Sequence, residues 1–556
     1  MNHKNLIALV LLLFLTSLFV LSIGFVNVQP TFSLVQSVSD LRDTTAFSLL
    51  FYLFSSLAIG GGIYFSRRST AISLAFLLLY SFAFLNLWVL ASPLHLIGES
   101  ILHMGGVADV YKSGAINYSL GYQDYPGIFL FSAALGLTQR IAPLSVSIEF
   151  ELLRAILFAI LTYLIIIKLI GGRGAAILGS ILCIQVDIML SNMPAFQPEV
   201  LGLTFFLLSV VALFKGTGKH SLVFLLAVIA GSISYALSSA LTTSVALFLL
   251  LSYMKTPKPT RSVVYASTVL ASFVTFAVWN LLLVVTLPAL LAQSITGLTS
   301  LFSPEHYYYL SATASAYTIQ NPFWANLTIL SSLLLLFGAS AIIFLFDVFK
   351  RQTRTEHVVL ISMVPFFILM TTFLGGAEAE RMLYYMAPFC ATIFTGWLLK
   401  SKGLKFVAVG VVILLVVLSL PSLLAFHAQI NGESNYPQTL SAGKFLVGGQ
   451  PSGEQKVYDG AGVLGLSDSF IQSYIVPLPQ PNYYPTTQQY LTALTPMLES
   501  FNAAKGTLWA MSLSEFINLD HIYGQTGGLA ITNAIFSKLQ QSDIVYSNSL
   551  ALIYYS

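Results

Sequence analysis

Runs of about twenty apolar residues, broken by short polar clusters, recur along most of this chain. A window matched to the roughly 20 residues that carry an α-helix across a bilayer picks out thirteen segments: 5–24, 46–66, 71–92, 149–170, 174–191, 199–214, 221–237, 239–254, 263–287, 324–346, 357–374, 383–399 and 404–426. The first begins after only four residues, lacks a small-residue cleavage site and is followed by further spans, so it reads as a retained helix. Three stretches are too long for simple turns: 92–148, 288–323 and everything after 426. Loops of that length usually carry function or structure of their own. Inside the first, "IFLFSAALGLTQRI" is apolar but runs into Gln139 and Arg140, too short to cross and expected along the outer interface. The pattern predicts an α-helical polytopic membrane domain of about 13 helices over residues 1–426, followed by an extracytoplasmic domain over 427–556.

Composition excludes the water-soluble alternative. Hydrophobic residues make up 56% of the chain and charged ones 8%, against roughly 25% charged in an ordinary soluble domain. Cys183 and Cys390 lie in separate apolar runs, which suggests neither a disulfide nor a cysteine metal site. No cofactor and no nucleic-acid partner is expected; the partner the composition implies is the lipid bilayer.

Charge sets the orientation. Sixteen of the 25 Lys and Arg residues fall on one side of the alternating topology, from Lys4 through Arg67, Arg68, Lys255 and Lys350 to Lys405. By the positive-inside rule that side is cytoplasmic. The N-terminus is then cytoplasmic and the tail extracytoplasmic in a multi-pass protein of the cell membrane. Acids gather on the opposite side, including Asp40, Asp43, Glu99, Asp109, Asp124, Glu199, Glu378 and Glu380, so the working face is external. Glu149, Glu151 and Glu305 read as carboxylates that solvate loops.

In "HLIGESILHMGGVADVYKSGAINYSLGYQDYPG", His95, Glu99 and His103 recur every four residues, which on a helix places them on one face. Such a stripe can ligate a metal, form an interfacial hydrogen-bond cluster, or present a carboxylate base oriented by His103; one helix does not readily supply three zinc ligands. The continuation reads as a helix ending at Gly114, an irregular segment, and a Tyr125-Pro126 turn into a second helix.

Glu99 followed four residues later by His103, the short helix from Asp109 closed at Gly114, and the Tyr125-Pro126 step together resemble the C-type (GT-C) superfamily of integral membrane glycosyltransferases. The resemblance is to the archaeal branch related to protein mannosyltransferases and oligosaccharyltransferases. In "GGAEAERMLYYMAPF", Arg381 ahead of aromatics and Pro388 resembles the Arg-bearing helix of transferases that use lipid-phosphate sugars, and "SDIVYSNSLALIYYS" resembles the tail of these proteins. The family's first acid is usually Asp, where this chain has Glu99. Neither a Trp-Trp-Asp-Tyr-Gly motif nor an outer Asp-x-Asp pair is present, which argues against transfer of whole oligosaccharides to Asn and against an obligatory metal.

The resemblance implies a glycosyltransferase that moves a sugar from a polyprenyl (dolichyl) phosphate donor to an external protein, glycan or lipid acceptor, with inversion. Such transfer needs a base for the acceptor's proton and a cation for the departing phosphate. Glu99 with His103 would supply the first and Arg381 the second. Arg381 can equally be an interfacial anchor, or the partner of Glu378 or Glu380. Asp109, Asp124, Tyr125 and Asp187 are candidates for substrate contact; Gln185 and "SNMPAFQPE" extend a polar pocket at the outer end of that span, and Ser234–Ser244 reads as a hydroxyl-rich outer turn.

In the tail, Gly460-x-Gly462-x-x-Gly465 matches the dinucleotide fingerprint, but no acid follows at the required distance and nucleotide binding is not expected. About 130 residues, with helical-looking stretches at Gln488–Ala504 and Leu529–Leu539, suffice for a small α/β domain that covers the cleft or receives the acceptor. A transporter and a non-catalytic scaffold of a surface-glycan assembly are the alternatives. The transporter is disfavoured because no internal repeat or paired broken helix is found.

Overall fold

The computed structural model describes residues 3–25, 44–91, 100–116, 125–187, 197–215, 219–254, 259–283, 323–350, 352, 354–373, 376–400, 405–430, 457–459, 475–477, 486–503, 508–539, 543–547 and 551–555. Every one of the thirteen apolar segments carries helix. In chain order these are α1 (His3–Phe25), α2 (Thr44–Ser66), α3 (Thr70–Ala91), α4 (Ser100–Ser113), α5 (Gly127–Gln139), α6 (Pro143–Ile170), α7 (Arg173–Asp187) and α8 (Pro198–Lys215). They continue as α9 (Lys219–Ser234), α10 (Ala236–Met254), α11 (Pro259–Ala277), α12 (Phe323–Leu333), α13 (Ala339–Phe349), α14 (Thr355–Phe373), α15 (Gly376–Lys400) and α16 (Lys405–Ile430). A π-helical segment, Val278–Leu283, extends α11, and another, Leu334–Gly338, joins α12 to α13. The two helices outside the thirteen segments, α4 and α5, occupy the long loop 92–148.

Among the described residues, seven stretches are long and apolar enough to cross a membrane by themselves: Leu6–Phe25, Ala46–Ser66, Thr70–Leu87, Ser145–Ile170, Ala325–Phe349, Arg381–Leu399 and Phe406–Ala425. The other six predicted segments, in α7 to α11 and α14, are shorter apolar helices. Apolar side chains on the outer surfaces of these helices, such as Leu49, Leu270, Ile342 and Phe406, are largely exposed. In water so large an apolar surface would drive association; against hydrocarbon it is the matching face, and the chain is a multi-pass membrane protein.

Helix ends follow from local chemistry. Gly114 has φ +67, where a side chain would be strained, and closes α4 at the expected place. Arg140 takes the left-handed conformation that ends α5, and Pro143 sits in the first turn of α6, where its missing N–H costs nothing.

Three expectations are corrected by packing. Gln185 does not line an outer pocket: it is buried, and its Nε2 donates to Tyr80 Oη (3.0 Å), Ser419 Oγ (2.9 Å) and the Leu415 carbonyl (2.6 Å), tying α7 to α3 and α16. Ser234–Ser244 is not a turn. Only Tyr235 separates α9 from α10, and the hydroxyls that follow bond within or between helices, as Ser238 does to the Gly202 carbonyl (2.8 Å) and Ser244 to the Ser362 carbonyl (2.8 Å). Glu151 does not solvate a loop; it is fully buried on α6, one turn from the buried Arg154, whereas Glu149 is exposed. Small and polar residues at these contacts let helices approach and bond where lipid offers no hydrophobic drive between them.

Replacing Gln185 by Leu should lower the thermal midpoint in detergent, at a cost of about 0.6–2 kcal/mol for an interhelical network of this kind. The cost stays modest because Tyr80 Oη and Ser419 Oγ lie 3.2 Å apart and keep each other as partners. An unchanged midpoint would show that the network does not hold the bundle.

The last membrane helix, α16, runs four residues beyond the expected boundary at 426. In the tail, α17 (Thr487–Ala503) matches the expected helix, while α18 (Leu513–Leu539) begins well before the expected 529. Gly524, Gly527 and Gly528 lower helix propensity and hide that extension from a sequence reading. Strands β1 (Val457–Asp459), β2 (Ile475–Pro477), β3 (Leu508–Ser512), β4 (Asp543–Ser547) and β5 (Ala551–Tyr555) form one sheet in the order β2-β1-β3-β5-β4. β1 is parallel to β2 and β3, and β5 is antiparallel to β3 and β4. Tyr490, Leu494, Leu498 and Phe501 on α17 pack with Trp509, Ile531 and Ile535 in a separate buried cluster. The Gly460 to Gly465 motif lies outside the described residues.

Candidate functional site

Five chain segments bring polar side chains together at one end of the helix bundle: the start of α8, the break between α9 and α10, the π-helical end of α11, the turn before α5, and the first turns of α15. In an alternating topology these ends share one side of the membrane.

Each segment has a local reason to present its side chain. Pro198 opens α8, and Glu199 follows in the first turn, where the helix dipole favours a negative charge. Tyr235 interrupts the α9–α10 pair, with its N–H on the Gly231 carbonyl (2.9 Å) and its carbonyl accepting from the Ser238 N–H (3.2 Å). Gly202, one turn along α8 from Glu199, makes room for that tyrosine, because a Cβ there would stand 2.7 Å from Tyr235 Cβ. Arg381 lies on α15 two turns ahead of Pro388.

Arg381 is the hub. Its Nη2 pairs with Glu199 Oε1 at 2.9 Å and its Nη1 donates to Tyr235 Oη at 3.1 Å. The Tyr235 ring makes an edge contact with Tyr125, centroids 6.2 Å apart. Tyr125 Oη donates to Asn280 Oδ1 (3.1 Å), and Asn280 Nδ2 donates to Ser239 Oγ (3.3 Å) and to the Phe276 carbonyl (3.1 Å). The Arg381 side chain keeps 27% of its surface and Glu199 14%, so the pair is half shielded, with the guanidinium still reachable. Glu199 Oε2 is buried with no hydrogen-bond partner among the described residues.

The sequence candidates separate on this geometry. Arg381 and Tyr125 meet through Tyr235. Arg381 pairs with Glu199, on another helix; Glu378 and Glu380 share α15 with it, and their side chains are not described. His103 is buried on α4, its ring 6.0 Å from that of Phe129 on α5. Asp109 lies on α4 and Asp187 is the last residue of α7, their side chains not described. His95, Glu99 and Asp124 lie outside the described residues. Sequence reading placed Glu199 among the outer acids, at the end of the stretch SNMPAFQPE, and Tyr235 inside the hydroxyl-rich stretch 234–244 without singling out either, and it passed over Asn280. The signals were there: one acid directly after a helix-opening Pro198, and one Asn inside the apolar segment 263–287. Among the described residues no group of three or more His, Cys, Asp or Glu is placed to hold a metal ion.

Chemically, the arrangement offers a permanent cation in a low-dielectric niche, two phenol faces and an amide, all at one end of the bundle. A guanidinium presents a planar fork of donors that matches phosphate oxygens. Tyrosine faces suit sugar rings.

No protein-family model and no curated protein matches the chain. Two solved structures of ArnT from Cupriavidus metallidurans are among the structures similar to this chain. The one bound to undecaprenyl phosphate has a TM-score of 0.44 at 10% identity, covering 92% of this chain and 98% of that one. The one in the apo state has a TM-score of 0.44 at 10% identity, covering 83% and 93%.

Proposed function

We propose that this chain is a membrane glycosyltransferase that moves a sugar from a polyprenyl phosphate donor to an external protein, glycan or lipid acceptor. The observation that carries the reading is Arg381, a reachable guanidinium at the end of the bundle, framed by Tyr235 and Tyr125. A lipid-linked donor carries its phosphate at the membrane boundary, with its chain in the bilayer and its sugar outside. Residues 1–426 would form the membrane domain and 427–556 an outer domain, with the N-terminus cytoplasmic.

In the reaction, Glu99 takes the proton of the acceptor's nucleophile, which attacks the anomeric carbon from the face opposite the phosphate. The bond from that carbon to the phosphate oxygen breaks, both electrons leave with the lipid phosphate, and Arg381 stabilises the charge that develops there. Configuration inverts in a single displacement. His103, four residues from Glu99, orients the base. A guanidinium in the phosphate position makes a divalent ion unnecessary.

The test is to give the purified protein in membranes a panel of polyprenyl phosphates carrying radiolabelled sugars, with a mixture of surface acceptors. Label should leave the lipid fraction, and a chelator should not change the rate. Label that crosses sealed vesicles while still on its lipid would assign the chain to transport, and label that stays on every donor on the same side would remove the enzyme reading.

A further inference from the structure

We propose that Glu199 is a built-in competitor for the donor's phosphate: it occupies Arg381 when the site is empty and takes it back when the lipid phosphate departs. The inference rests on the reading of Arg381 as the phosphate-binding residue and adds a regulatory role for its partner.

Three observations carry it. Glu199 Oε1 sits 2.9 Å from Arg381 Nη2, the distance of a charge-assisted hydrogen bond, so the guanidinium is already partly neutralised. Nη1 is engaged by Tyr235 Oη, which holds the guanidinium in place without adding a second negative charge. Glu199 Oε2 is buried and has no hydrogen-bond partner among the described residues. A carboxylate built only to anchor an arginine would engage both oxygens, since a buried acceptor left unbonded costs free energy. Among the described residues one oxygen is committed and the other is not, which is an arrangement that a better anion can displace.

A role for Glu199 as the general base is less consistent with this geometry. Its Oε1 is already engaged by the guanidinium at 2.9 Å and is not open to an acceptor's hydroxyl. As a competitor the same contact is useful. The Glu199 charge moderates the affinity for lipid phosphate, which is both part of the donor and the leaving group, and so limits product retention.

The experiment measures binding of a polyprenyl monophosphate in detergent micelles, with the corresponding polyprenol as a control without phosphate. Glu199→Gln removes the charge, while its side-chain carbonyl can still accept from Arg381. It should bind the phosphate at least about tenfold more tightly than the parent chain, the order expected for removing one competing close charge. Glu199→Asp, which keeps the charge on a shorter stem, should fall between the two and stands as the readout if the Gln variant does not fold. Polyprenol binding should not change in either.

Phosphate binding no tighter in Glu199→Gln than in the parent, or weaker, overturns the proposal and leaves Glu199 as a positioning residue for Arg381. Arg381→Ala separates the two levels: loss of phosphate binding there without tightening in Glu199→Gln removes only the competitor, whereas full phosphate binding in Arg381→Ala removes the phosphate reading itself.

Discussion

Glu99→Gln should lower sugar transfer by roughly 10²–10⁴, the usual contribution of a positioned general base, while leaving donor binding in place. The amide keeps the shape of the carboxylate and much of its hydrogen bonding but cannot accept the acceptor's proton. His103→Ala should cost less, because on the proposed mechanism the imidazole orients the base and does not itself take the proton. Its burial on α4 against Phe129 allows it to act as a fixed support. The measurement is single-turnover transfer from a radiolabelled donor, beside donor affinity in the same preparation. A Glu99→Gln protein with full transfer would move the base elsewhere, to Asp109 or Asp124 in the same loop, or to Asp40 and Asp43 in the loop before it.

Arg381→Ala should weaken donor binding on the order of 10²–10³, the range for truncating one member of a shielded charge pair. Part of that loss would come from Glu199, left in a half-shielded position without the guanidinium at 2.9 Å. Arg381→Lys separates the effects. An ammonium can keep the ion pair with Glu199, but it cannot serve Glu199, Tyr235 and a phosphate through one planar fork. Donor affinity should therefore fall in the Lys variant while its thermal midpoint stays near that of the parent chain. Equal donor affinity in the Lys variant and the parent would make Arg381 an interfacial anchor.

The candidate site was legible in part. Arg381 and Tyr125 stand out because a charge or a Tyr-Pro step at the edge of a long apolar run has few bland explanations. Glu199 looked like one more outer carboxylate, and nothing in its neighbourhood along the chain points to a residue 182 positions away. Asn280 was hidden because a single polar residue in an apolar segment has no visible partner until another helix supplies Tyr125 and Ser239.

Hydropathy alone determined that the chain is a multi-pass membrane protein and where its helices lie, since each apolar run buries its backbone polar groups within itself and needs no information from elsewhere. The helix end at Gly114 was equally local. Contacts between helices were decided only by tertiary structure. Gln185 and Asp187 read alike as polar residues near the end of one span, yet Gln185 bonds inward to Tyr80 and Ser419. Glu151 read as a solvated acid and is buried. The same holds for the pairing of Arg381 with Glu199 on another helix. Periodicity tells which residues share a face of one helix, but which helix covers that face depends on packing among segments far apart in sequence, and in a chain this uniformly apolar the hydrophobic pattern gives every face nearly the same value.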